Sequence, residues 1–148
     1  QREEGFKAAM ANYPNITVLE TQFNDDDANK ASAQVNAVVA RAPDLSGIFG
    51  ANLFSAIGSA DGVKAMGKSG EIKVVAFDAP TRIVDDLKSG LVDMAIAQHP
   101  AEIGYMGVMV AFGHVTGNPV PVSVGTGFTV MTADNIDDPD ISKYVYSD

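Results

Sequence analysis

Apolar positions along the chain alternate between two spacings, one helical and one extended. Phe6, Met10 and Tyr13 recur at helical spacing among Ala8, Ala9 and Ala11. That predicts a helix over 2–13 with those three side chains in the core, ended by Pro14-Asn15. Ile16 to Phe23 then reads as a strand, and Asn24-Asp25-Asp26-Asp27 as its loop. Three acids there sit where a helix dipole favours negative charge. The helix that follows, from about Ala28 to Ala40, turns Ala31, Val35, Val38 and Val39 inward and closes at Ala42-Pro43-Asp44. Leu45 to Gly50 is a further short strand, ending at Ala51-Asn52, and a helix over 54–66 follows with Gly67 as its C-terminal stop.

The clearest strand is Ile72 to Phe77, an apolar, β-branched run that reads as covered on both faces. It stops abruptly at Phe77-Asp78-Ala79-Pro80. Thr81 to Lys88 is a helix with Ile83, Val84 and Leu87 inward, and Val92 to Gln98 is a fourth strand. This rhythm of strand and helix predicts an α/β fold with a doubly wound parallel sheet and right-handed crossovers. After Gln98 the texture changes. His99-Pro100 breaks the strand, a Gly- and Met-rich helix runs over 101–115, and Asn118-Pro119-Val120-Pro121 turns. An extended stretch over 122–132 and a short C-terminal helix ending near Tyr146 complete the chain.

Ligands of open parallel sheets bind outside the carboxyl ends of the strands, where loops and helix N-termini converge. The inferred strands end in Phe23-Asn24, Asn52, Phe77-Asp78 and Gln98. Amides and a carboxylate bind hydroxyl groups without supplying a nucleophile or a metal cage, and an aromatic offers a flat apolar face. A sugar has both a C–H face and a rim of hydroxyl donors. Asp78 alone fits equally common chemistry, the N-cap of the helix that follows, with Pro80 in its first turn. The four strand ends taken together favour a ligand mouth.

Composition narrows the choice further. The 148 residues match one ordinary domain able to bury a core. Cys is absent, which removes disulfides, thiolate nucleophiles and Cys-type zinc sites. A net charge of −9 argues against nucleic acid as a partner. No apolar run reaches the roughly 18 residues of a membrane span. No signal peptide is visible, and an initial Gln1 predicts a processed or trimmed chain. No G-x-S-x-G elbow or G-x-G-x-x-G occurs. His99 reads as a surface loop residue and His114 as a helix-face residue. Gly125-Thr126-Gly127 reads as a hinge or bulge, and the acidic run around Asp26 lacks the ligand alternation of a calcium loop. An enzyme is therefore disfavoured, and nothing calls for a cofactor or a metal.

Arg2-Glu3-Glu4-Gly5-Phe6, Ile48-Phe49-Gly50-Ala51-Asn52, Val74-Val75-Ala76-Phe77-Asp78 and the run from Ala95 to Gly104 occur in an order that resembles the type I periplasmic sugar-binding proteins of ABC importers, of the ribose-binding kind. The likeness extends over nearly the whole chain. It implies a lobe of a two-lobed protein that closes over a monosaccharide or polyol and works with a membrane permease in the periplasm. It also implies ligand contacts from Arg2, Asn52, Phe77, Asp78 and Gln98. The ribose pattern carries an aromatic where this chain has its acidic run, so Phe23 or Asn24 are further candidates. On this resemblance residues 1–98 are a C-terminal sugar-binding lobe, 99–124 a segment of the other lobe, and 125–148 the returning crossover. Most of the N-terminal lobe is then missing. Ile103, Val108, Met109 and Phe112 should be left exposed until that half, or a second copy, covers them. The effector domain of a sugar-responsive transcription regulator shares this fold and is the alternative reading.

Overall fold

The computed structural model describes residues 1–146; residues 147 and 148, the end of the expected returning crossover, lie outside the described residues. The elements follow in the order α1 (Arg2–Met10), α2 (Ala28–Arg41), β1 (Gly47–Gly50), α3 (Leu53–Ala65), β2 (Lys73–Phe77), α4 (Thr81–Lys88), β3 (Met94–Gln98), α5 (Pro100–Val115), β4 (Phe128–Met131) and α6 (Pro139–Ser142). The four strands form one sheet in the order β1-β2-β3-β4, with the first three parallel and β4 antiparallel to β3. A helix between each pair of parallel neighbours carries the chain back to the starting edge, so the carboxyl ends of β1, β2 and β3 line up. Gly50 lies beside Ala76, and Phe77 beside Ile96.

The core lies between the sheet and its crossover helices. Val74, Ala76, Ala95 and Ala97 are wholly buried with Ala56, Ala60 and Val63 of α3 and Ile83 and Leu87 of α4. Helix α2 packs on α3 through Ala31, Val35 and Val39. Two α3 glycines allow this approach. A Cβ on Gly58 would overlap the Ala28 carbonyl oxygen and lie 2.5 Å from Ala31 Cβ, and one on Gly62 would lie 3.0 Å from Val35 Cβ. Met131 and Ile136 of the returning segment bury themselves against the same core.

Four expectations are corrected here. Strand β2 is not covered equally on both faces: Val74 and Ala76 are buried, whereas Val75 and Phe77 are half-buried. The stretch 16–23 is not a strand. Its sequence suits a ladder, but β1 pairs only with β2, and no described strand lies beside 16–23. Side chains hold it instead, Thr21 Oγ1 donating to Glu3 at 2.7 Å and Gln34 Nε2 to the Phe23 carbonyl at 2.9 Å. Phe6, Met10 and Tyr13 are not core residues. Helix α1 buries none of its residues, and Tyr13 is 56% exposed, because little of the chain covers its apolar face; Phe6 stacks on Phe49 at 5.2 Å. His99 is not a surface loop residue, since its side chain is only 13% exposed and stacks on Tyr144.

Helix α5 is apolar yet buries no residue. Ile103, Val108, Met109 and Phe112 are exposed. No helix among the described residues is long and apolar enough to cross a membrane.

Candidate functional site

The aligned strand ends bring Asn52, Phe77, Asp78 and Gln98 to one edge of the sheet. Arg2 arrives from α1. Its guanidinium lies 3.7 Å from the centroid of the Phe77 ring, and Nη1 donates to the Ala51 carbonyl at 2.9 Å. Stacking and hydrogen bonding together orient a planar cation. Gln98 Nε2 donates to Asp78 Oδ1 at 2.5 Å, so the ends of β2 and β3 are joined by side chains as well as by their ladder. Asn52 reaches the other way, donating through Nδ2 to the Asp26 carboxylate.

Two of these side chains differ in what else they do. Asn52 is the N-cap of α3, and its Oδ1 accepts from the Ser55 amide at 2.9 Å. Asp78 is not a cap. The N-cap of α4 is Pro80, with no side-chain bond to the helix. Asp78 also has φ 82°, a left-handed conformation uncommon outside glycine. Such outliers persist where surrounding contacts over-determine them, and they gather at functional sites. The capping explanation for this carboxylate is therefore removed.

The two further candidates lie differently. Asn24 is buried, with Nδ2 donating to the Asp27 carbonyl and Oδ1 accepting from Ser55 Oγ, both at 3.1 Å. These bonds commit it to the α2–α3 junction. Phe23 is 70% exposed. Sequence reasoning passed over two residues that the fold brings to this edge. Asp26, in a left-handed conformation with φ 56°, meets Asn52, while its neighbour Asp27 caps α2. Tyr146 sits beside Asp78 and Ala79, its hydroxyl oxygen accepting from the Ala79 amide at 3.2 Å. Burial pushes the Tyr146 hydroxyl up to about 12; the Ala79 N–H bond opposes that rise and the nearby Asp78 carboxylate adds to it. Only the run of three acids hinted at Asp26. Tyr146, far along the chain from Asp78, left no local signal at all.

Chemically, the edge offers acceptors, amides, a cation and an aromatic face, a set suited to holding hydroxyl groups and a C–H surface. Among the described residues no cluster of three His, Cys, Asp or Glu side chains could hold a metal ion.

The profile of a family described as the periplasmic binding protein domain matches residues 1–119. The D-ribose/D-allose-binding protein of Pseudomonas aeruginosa is 30% identical over 79% of this chain and 36% of its own length. The ribose import binding protein of Haemophilus influenzae is 32% identical over 89% of this chain and 44% of its own. A solved ABC transporter solute-binding protein from Agrobacterium vitis, bound with α-D-tagatopyranose, is 62% identical with a TM-score of 0.95. That comparison covers 99% of this chain and 49% of the solved one. The chain thus spans about half the length of the solved relative and somewhat less of the curated ones.

Proposed function

The chain belongs to the periplasmic binding protein domain family, and from that membership we propose that the intact protein is the sugar-binding component of an ABC importer. It takes a monosaccharide or sugar alcohol, holds it without chemistry, and delivers it to a membrane permease from the periplasmic side. Residues 1–98 form one wall of the binding cleft. Segment 99–124 belongs to the opposite lobe, and 125–148 is the returning crossover. The missing half, or a second copy, covers the exposed side of α5. Arg2, Asn52, Phe77, Asp78 and Gln98 contact the ligand, with Phe77 against its C–H face. Phe23, at the rim, is a weaker candidate; Asn24 acts by holding the loop that presents Asp26.

The observation that carries this reading is Asp78: an uncapping carboxylate in a left-handed conformation, at the sheet edge, beside Gln98 and near Arg2 and Phe77. A hexose in the 62% identical relative supports a ligand of that class. In a closed, largely dry cleft each hydroxyl bond to a charged carboxylate contributes about 1.5–3 kcal/mol. Losing two such bonds in Asp78→Ala lowers affinity by roughly a hundredfold or more, at about 1.4 kcal/mol per tenfold. The test is calorimetric titration of the full-length protein with D-tagatose, D-ribose and D-allose, wild type against Asp78→Ala, with melts of both apo proteins. Unchanged affinity for whichever sugar binds would remove the centre of this reading.

A further inference from the structure

The last described residues run across the strand ends that carry the candidate site. Tyr146 forms a parallel bridge with Pro80, and its backbone amide and side-chain hydroxyl both meet Ala79, the residue after Asp78. Two residues earlier, the Tyr144 ring lies flat on His99, with centroids 3.8 Å apart and planes 10° from parallel. His99 follows Gln98, the partner of Asp78, directly in the chain. His99 is itself fixed by Thr129 Oγ1 on β4, 2.8 Å from Nε2, and by Glu102 on α5, 3.3 Å from Nδ1. Gly127 leaves room for that ring, since a Cβ there would come within 3.3 Å of it.

These contacts flank Asp78 on both sides. Its own amide donates to the Ile96 carbonyl at 3.0 Å, and its side chain accepts from Gln98. The loop that follows, Ala79-Pro80, has no cap bond to α4. The Ala79 amide is satisfied by the Tyr146 hydroxyl. We propose that segment 143–146 is a strap that positions the ligand-facing carboxylate: Tyr146 holds the Asp78–Pro80 loop with Asp78 in its left-handed conformation, and the Tyr144–His99 stack anchors the strap. The inference rests on the sugar-binding reading above and adds a positioning residue to that site. Tyr146 need not touch the sugar. It keeps the fraction of molecules with Asp78 correctly aimed close to one, and apparent affinity scales with that fraction.

The test uses the full-length protein and two variants, Tyr146→Phe, which removes only the hydroxyl, and Tyr144→Ala, which removes the distant anchor. Affinity is read by calorimetry with whichever of D-tagatose, D-ribose and D-allose binds the wild type. Amide hydrogen exchange at Ala79 is read in the apo proteins. The loss of one neutral hydrogen bond predicts a weaker affinity in Tyr146→Phe, by up to roughly tenfold, with faster exchange at Ala79 and little change in melting temperature. Tyr144→Ala changes affinity and exchange in the same direction. Unchanged exchange at Ala79, or faster exchange with unchanged affinity, overturns the proposal. Binding of none of the three sugars by the wild type overturns the choice of these ligands, a result distinct from failure of the strap, which unchanged Ala79 exchange in the apo proteins still overturns.

Discussion

Tyr146, beside Asp78, shows how a residue's surroundings set its protonation. Burial disfavours the phenolate and pushes the folded Tyr146 hydroxyl up from its ordinary value of 10.0 to about 12. A folded value above the unfolded one means that the neutral phenol's contribution is complete below about pH 10. That contribution is lost as pH rises from there toward 12. Lys143 is also raised, by its bond to Asp140, and loses its contribution in the same direction. Lys143 is common to wild type and Tyr146→Phe, so the difference between the two isolates the tyrosine. The expected outcome is a steeper fall of wild-type melting temperature between pH 10 and 12 than in the variant. Parallel curves would mean that the strap tyrosine titrates as if in water.

At the scale of elements, contacts that helices and strands make with close neighbours were legible, and contacts with distant ones were not. The periodicity of 28–40 and 81–88 marked α2 and α4 because each buries an apolar side against residues of this chain. The run over 72–77 marked β2 because its ladder partners, β1 and β3, are both present. The run over 16–23 has comparable strand chemistry but no partner strand among the described residues, and β propensity without a ladder leaves the backbone extended and solvated. The placement of the candidate site residues followed the same rule. Asn52, Asp78 and Gln98 were readable because strand ends announce themselves, whereas Tyr146 depends on how the chain's end is docked. The α2–α3 contact offers a sharp test at this scale. Gly58→Ala gains helix propensity of up to about 1 kcal/mol but forces a Cβ into the backbone of α2. Overpacking of that kind costs roughly 1–3 kcal/mol, occasionally more. The variant should therefore have a lower denaturant midpoint than wild type; an unchanged or higher midpoint would mean that α2 can move away freely.

At the scale of the whole molecule, burial is lopsided. The core gathers around β2, β3, α3 and α4, whereas α5 buries nothing and presents Ile103, Tyr105, Val108, Met109, Phe112 and Val115 to solvent. Phe112 is 64% exposed and Val108 69%. Contiguous apolar surface on this scale marks a place where another surface belongs. A helix of 16 residues that gains little from packing is also weakly held, since most helical stability in proteins comes from a buried face. Two consequences follow for the 148-residue chain on its own. Sedimentation should show association that increases with concentration, and Val108→Lys with Phe112→Lys should reduce it. Helix α5 should exchange its amide hydrogens far faster than α3, which lies in the core. In the full-length protein, where the proposed second lobe would cover this face, the same double substitution should instead lower stability. A chain that sediments as a monomer at every concentration, with α5 as protected as α3, would mean that the helix folds back on its own lobe.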